Sequence, residues 1–388
     1  MENSKIIGVA GAGAMGNGIA QVAATAGHRV IIMDSNAAVI EKAKNSVSKD
    51  FEKLIGKGKL SRERAEEILS LMHYTGNENE FSDCSLVIEA IIENLEVKKE
   101  LFKRIENVVN ADCILATNTS SLPVVAVASS CIERSRVLGI HFFNPAPLMP
   151  LVEIIPAFTT NESIVLKARE IINSWGKITV LAKDTPGFIV NRIARPFYGE
   201  SLKIFEEGIA DFATIDWAMK KFGGFRMGPF ELMDFIGNDI NYKVSETVWE
   251  QMFYDPRYRP SLTQKRLYEA GLFGRKSGRG YYSYQEGNSL PPADENEIKG
   301  KYIFDRILAM LINEATEALY MNIASRDDIE LAMTKGVNYP KGLLKWADEI
   351  GIATVLTTLE KLLSDYNDDR YRPSLLLKKM VAEKRTFY

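Results

Sequence analysis

At 388 residues, 46% hydrophobic and 26% charged, the chain is longer than one ordinary domain and apolar enough for sizeable cores, so two or three globular domains are expected. A net charge of −3 argues against nucleic acid or an anionic membrane as the main partner, while leaving room for a local basic cluster that holds a small anionic ligand. No apolar run approaches the ~18 residues of a membrane span, and the scattered cysteines Cys84, Cys113 and Cys131 show no C-x-x-C spacing.

Such thiols read as buried or free in a reducing compartment. The chain also runs directly into "KIIGVAGAGAMG", without the charged start, apolar stretch and cleavage pattern of a secretion signal. A cytoplasmic protein is expected.

In chain order, "KIIGVA" is a short apolar strand, "GAGAMGNGIAQVAATAG" a glycine turn running into an alanine-rich helix, and "HRVIIMD" a second strand ending at Asp34. Gly11, Gly13 and Gly16 therefore stand at G-x-G-x-x-G spacing around Ala14 and Met15. Gly11 permits a tight turn, Gly13 lets the backbone approach a pyrophosphate, and Gly16 allows close helix packing, with the helix N-terminus facing the phosphates. Asp34 falls where a carboxylate accepts both ribose hydroxyls and repels a 2′-phosphate, which selects NAD over NADP. Residues 37 to 71 are expected to be helical with a break at "LIGKGKLS", where Gly56 and Gly58 end one helix and Ser61 caps the next. Lys49, Lys53 and Lys57 lie four apart on one side of that first helix, a stripe that on its own reads as a solvated face.

"CSLVIEAIIEN" then reads as a buried strand, "LEVKKELFKRIENVV" as an amphipathic helix and "CILATNTSS" as another strand. In an open α/β sheet ligands bind beyond the carboxyl ends of strands, where Glu93, Asn118 and Ser120 would sit. "SRVLGIHFFNP" brings His141 to the same edge. Of three histidines, His28 falls in the turn before the second strand and His73 in a polar surface connection, so elimination selects His141. An alcohol dehydrogenase needs a base of near-neutral pKa, and a carboxylate on one ring nitrogen would fix its tautomer. Glu153, on the strand returning after a proline-rich turn, is the candidate. A core histidine beside an unrelated strand-end acid is the plainer alternative, and the cofactor motif tips the reading toward catalysis.

The stretches "GAGAMG", "VIEAIIENLEVKKELF", "ATNTSSLP", "GIHFFNPAPLMPLVEII", "KDTPGFIVNRI", "MGPFELMDFIG" and "FGRKSGRGYYSY" run in order through residues 5 to 285. In them the sequence resembles the L-3-hydroxyacyl-CoA dehydrogenase family. The resemblance implies an α/β Rossmann domain carrying NAD, followed by a helical domain that closes over an acyl chain and commonly dimerises. It implies reversible, NAD-linked oxidation of a (3S)-hydroxyacyl-CoA to the 3-oxoacyl-CoA; no metal is expected, since no histidine and carboxylate cluster shows ligand spacing. By position, His141 matches the family's base and Glu153 its orienting carboxylate. Ser120 and Asn191 match the polar pair around the reacting oxygen and thioester, Asn191 just inside a helix that follows Pro186 and Gly187. Asp34 matches the adenosine-ribose acid, and Glu93, Lys98, Ser120, Asn144 and Lys276 match positions around the nicotinamide half. Lys57 matches a lysine touching coenzyme A, and Lys53 on the same stripe is a further substrate-binding candidate. Asp50 departs from the family, which often has a small hydroxyl side chain there.

The tail repeats the middle. "DPRYRPSLTQKRLYEAG" returns as "DDRYRPSLLLKKMVAEK", "TIDWAMKKFG" as "DIELAMTKG" and "MDFIG" as "ADEIG". The expected organisation is a Rossmann domain over 1–184, a helical domain over 185–286, a polar linker over 287–300 and a second helical copy over 301–388. In that copy Asp305 takes the place of Asn191, so it is expected to be non-catalytic. The two copies are expected to pack as an internal pseudo-dimer, and further homo-oligomers are compatible with the resemblance. Rival readings are a related dehydrogenase of a free hydroxy acid or sugar acid, and a non-catalytic dinucleotide-binding protein. The presence together of His141, Glu153, Ser120 and Asn191 argues against the second.

Overall fold

The computed structural model describes residues 5–287 and 290–388. The chain forms two compact units, Met1–Thr185 and Pro186–Tyr388. In the first, strands β1 (Ile6–Ala10), β2 (Arg29–Met33), β3 (Met72–Thr75), β4 (Leu86–Glu89), β5 (Ile114–Thr117), β6 (Val137–Phe142), β7 (Leu151–Pro156) and β8 (Ile178–Leu181) form one sheet. Its order is β3-β2-β1-β4-β5-β6-β7-β8. Neighbours are parallel except β6 and β7, which are joined by the short connection 143–150 and run antiparallel. Most of these strands are apolar on both faces because helices cover both sides, α1 (Ala14–Thr25), α2 (Ala37–Gly56), α3 (Arg62–Ser70), α4 (Leu95–Glu106), α5 (Val124–Ala128) and α6 (Glu162–Ser174).

Asparagine or serine side chains start four of these helices: Asn36 caps α2, Ser61 caps α3, Asn94 caps α4 and Asn161 caps α6. α2 ends at Gly56, and Gly58 adopts φ +64°, as the expected break requires. His73 departs from expectation. It lies on β3 rather than in a connection, because "MHYT" completes the ladder on β2 at the sheet's edge. An edge strand of four residues with a half-exposed face carries no apolar run to betray it.

Among the described residues the second unit is helical apart from isolated antiparallel bridges that Arg279 makes with Gly274 and Ser283: α7 (Val190–Ile193), α8 (Arg195–Glu206), α9 (Phe212–Gly223), α10 (Pro229–Ile236), α11 (Asn238–Gln251), α12 (Leu262–Glu269), α13 (Glu297–Tyr320), α14 (Arg326–Leu331), α15 (Leu343–Ile350), α16 (Ile352–Tyr366) and α17 (Leu375–Ala382). α13 packs against α8, α9, α15, α16 and α17, and is buried along most of its length. Of the expected linker 287–300, Asn288 and Ser289 lie outside the described residues. Its last part is already helix, because Asn296 caps α13 by accepting from Lys299 N. No helix among the described residues is long and apolar enough to cross a membrane.

Buried charges tie this unit together. Glu200 on α8 accepts from Arg306 Nε on α13 at 2.6 Å and from the Tyr371 hydroxyl at 2.9 Å. Glu314 on α13 accepts from Arg192 Nε on α7 at 2.7 Å and from the Tyr258 hydroxyl at 2.6 Å.

Candidate functional site

β1 ends in the glycine loop. Gly11 has φ +107°, and a Cβ there would stand 2.6 Å from Ala90 O. A Cβ on Gly16 would fall 1.9 Å from Gly11 O, so α1 can approach the loop this closely only with glycine. A Cβ on Gly13 would meet nothing within 4 Å, which leaves that stretch of backbone open to a ligand. Ala14 and Met15 form the first turn of α1, which has neither a side-chain cap nor an acid to occupy its amide donors. At the end of β2, Asp34 accepts from Ala12 N and Asn36 N, both at 2.9 Å, which fixes its carboxylate beside the loop. Uncapped donors beside open backbone, with an anchored acid alongside, fit a dinucleotide with free ribose hydroxyls.

Next along the sheet edge lies a cluster of charge. Lys98, only 1% exposed, donates from Nζ to Glu89 at 2.6 Å and lies 3.2 Å from Glu93. Glu89 also accepts from the Thr117 hydroxyl and Ile91 N. Glu93 in turn accepts from the Thr119 hydroxyl at 2.6 Å, Ser120 N at 3.1 Å and the Ser121 hydroxyl at 3.2 Å. Burial alone would push the Glu93 carboxyl up. The Lys98 ammonium and these donors outweigh it and hold the group below the ordinary carboxylate value. Lys98 thus acts inside the protein as the tie that holds Glu93, and Glu93 fixes the backbone at Ser120. Sequence reasoning missed Glu89, Thr117 and Thr119. Their only signal was polar residues closing two otherwise apolar strands, "VIE" and "ATNT".

Asn118 accepts from Phe142 N at 2.8 Å through its side-chain oxygen, linking the ends of β5 and β6. One residue before Phe142, His141 pairs in register with Glu153 across the antiparallel ladder. Directly opposed residues put both side chains on one face of the sheet. His141 Nδ1 stands 2.7 Å from Glu153 Oε2, with both side chains buried. A carboxylate only accepts, so Nδ1 carries the proton and proton exchange with a substrate would run through Nε2. Phe143 lies against the imidazole, ring centroids 4.6 Å apart.

The other histidines have structural occupations. His28 is buried and accepts from Lys5 N, and burial, then the charge of Lys5, lowers its pKa. His73 is exposed, with Nε2 2.7 Å from Glu80. Asn144 is exposed in the connection after β6. Lys57 is exposed at the end of α2. Lys53 is exposed and 3.3 Å from Asp50, so the residue that departs from the family screens one lysine of the stripe. In the second unit, Asn191 lies half-buried in α7, and Lys276 donates to Asp239 at 2.6 Å.

Comparison with known proteins shows the family of the chain. Residues 6–185 match the model of the 3-hydroxyacyl-CoA dehydrogenase NAD binding domain, and residues 187–284 and 302–386 match that of the 3-hydroxyacyl-CoA dehydrogenase C-terminal domain. The chain is 33% identical to the 3-hydroxyadipyl-CoA dehydrogenase of Escherichia coli (strain K12), over 97% of this chain and 98% of that one. It is 41% identical to a probable 3-hydroxybutyryl-CoA dehydrogenase of Deinococcus radiodurans, over 71% of this chain and 99% of that one. The crystal structure of 3-hydroxybutyryl-CoA dehydrogenase from Escherichia coli K12 superposes with a TM-score of 0.92 at 33% identity, covering 98% of this chain and 99% of the other.

Proposed function

This chain belongs to the 3-hydroxyacyl-CoA dehydrogenase family, and from that premise we propose that its buried His141–Glu153 pair is the proton-transfer centre of the family's reaction. The enzyme is an NAD-dependent oxidoreductase that converts a 3-hydroxyacyl-CoA to the 3-oxoacyl-CoA. In our reading the (3S)-hydroxyl gives its proton to His141 Nε2, and Glu153 stabilises the resulting imidazolium. The family pattern assigns Ser120 and Asn191 as donors to the oxygen and thioester whose charge changes. The backbone of Gly11, Gly13, Ala14, Met15 and Gly16 holds the pyrophosphate, and Asp34 the adenosine ribose. The family pattern assigns Asn118, Asn144, Glu93 and Lys276 to the nicotinamide half, with Lys98 acting through Glu93. When bound, NAD supplies the hydride acceptor. Lys53 and Lys57 meet the phosphates of coenzyme A. The full-length relatives are named for hydroxyadipyl and hydroxybutyryl chains, so both acyl classes are candidate substrates.

The observation that carries the reading is the 2.7 Å contact in a buried, register-paired setting. His141→Gln is expected to retain NADH affinity while slowing turnover of acetoacetyl-CoA by about 10²–10⁴-fold. Unchanged turnover would overturn the assignment. A parallel assay with free acetoacetate tests whether coenzyme A is required.

We further read the helical unit as two tandem copies, 185–286 and 301–388, joined by 287–300 and packed as an internal pseudo-dimer. Support comes from two separate matches to one family model and from repeated devices. Asp216 accepts from Phe230 N and Glu231 N, and Glu330 accepts from Leu344 N and Lys345 N. Asp234 accepts from Tyr281 N and Tyr282 N, and Asp348 from Phe387 N and Tyr388 N. A cytoplasmic setting is supported by three free, buried cysteines.

A further inference from the structure

Most buried arginines of the helical unit have acids. Arg192 faces Glu314, Arg257 faces Asp255, Arg306 faces Glu200 and Glu207, and Arg370 faces Glu200. Arg195, the first residue of α8 and only 7% exposed, is different. Its Nε donates to Asn191 O at 2.8 Å and its Nη1 to the Ser245 hydroxyl at 3.0 Å, with the Tyr198 ring centroid 4.9 Å from the guanidinium carbon. Among the described residues no carboxylate pairs with it, and these two bonds leave Nη2 for a further acceptor. A guanidinium cannot discharge itself by losing a proton, so its burial without an anion is a standing cost.

An unpartnered hydroxyl lies close by. Tyr339 is 5% exposed, and its hydroxyl is buried without a hydrogen-bond partner. Its ring packs on Phe225 and on Phe197, which lies two residues from Arg195 on α8. A cation without an anion, one helical turn beyond Asn191, therefore stands near a hydroxyl without a partner.

We propose that Arg195 and Tyr339 receive a carboxylate at the far end of the acyl chain, so that the preferred substrates are 3-hydroxyacyl-CoA thioesters of dicarboxylic acids. The inference rests on the reading above that Asn191 stands at the reacting end of the substrate. Arg195 Nη2 and the Tyr339 hydroxyl can each donate to one oxygen of a carboxylate, and the phosphates of substrate and cofactor have other binding groups in that reading. Tyr339 lies in the C-terminal half of the helical unit, which would then contribute to specificity as well as packing.

The test compares kcat/KM for 3-oxoadipyl-CoA with that for 3-oxohexanoyl-CoA, which has a methyl group in place of the carboxylate. The wild-type enzyme is expected to favour the carboxylated substrate by at least about tenfold, since a buried donor left unpaired penalises the analogue. Arg195→Met is expected to lower that ratio by about ten- to a hundredfold, and Tyr339→Phe by less, chiefly through KM. A wild-type ratio at or below one overturns the proposal, even if the variants do not fold. So does an Arg195→Met enzyme that loses both activities in parallel, because a purely structural arginine would act that way. Turnover of neither substrate by the wild-type enzyme would instead overturn the dehydrogenase reading beneath it.

Discussion

Lys98 is surrounded by its own kind of problem: an ammonium 1% exposed, between the carboxylates of Glu89 and Glu93. Such a cluster adds little stability over a well-packed apolar one, but removing one member strands the others. Lys98→Met would leave two acids facing each other without a cation, and about 3–5 kcal/mol of stability is expected to be lost, read as a lowered melting temperature. Glu93 adds a pH signature. Its folded pKa lies below the ordinary 4.5, so its contribution is present above that value and lost as pH falls through the lower, folded one. Glu93→Gln is accordingly expected to flatten the acid limb of the melting curve below 4.5, and a steeper limb would contradict the ion-pair account. The sequence made Glu93 and Lys98 visible as motif positions, but not that they touch, since the contact crosses from a strand end to a helix. His141 and Glu153 were legible as a pair because a hairpin-like return fixes which residues oppose each other.

At the scale of elements, the glycine loop is where spacing translated most directly into geometry. Strand, turn, helix, strand and terminal acid all fell in the expected positions, because each has a local steric cause. Two substitutions separate the roles. Gly16→Ala would set a methyl 1.9 Å from Gly11 O, forcing α1 off the loop, so both melting temperature and NADH affinity are expected to fall. Gly13 has φ −64°, which alanine accepts, and no neighbour within 4 Å. Gly13→Ala is therefore expected to change stability by less than about 1 kcal/mol while weakening NADH binding, because its methyl enters the space the pyrophosphate would use. Fluorescence titration and thermal melts distinguish the two, and equal affinity in Gly13→Ala would remove the phosphates from the loop. β3 escaped notice for the opposite reason: its four residues are held by pairing with β2, a non-local cause that no local pattern encodes.

For the whole molecule, "DPRYRP" and "DDRYRP" carry the expectation of a repeat packed on itself, yet which charged side chains meet was not legible in them. Charged residues within helices look solvent-facing in a sequence, and only their partners give them away. Glu200 meets Arg306, Arg370 and Tyr371, and Glu314 meets Arg192, Arg257 and Tyr258. On the tandem-copy reading proposed above, the two sets are the same constellation exchanged between the N-terminal and C-terminal parts of the unit, as the halves of an isologous interface are. The consequence concerns a shortened chain. Residues 1–286 keep Arg192, Glu200, Arg257 and Tyr258, which is every group the exchange needs, but lose the partner that supplies the other half. Without it, Glu200 loses its cations, and the faces of α8 and α9 that pack on α13 are uncovered. A second copy of the shortened chain can restore both, with Glu200 of each meeting Arg192 of the other. Residues 1–286 are therefore expected to sediment as a dimer, and Glu200→Arg in that chain to break it into monomers by setting like charges against each other. A monomeric 1–286 that melts at the temperature of the full chain would mean that residues 301–388 cover nothing the first part needs covered.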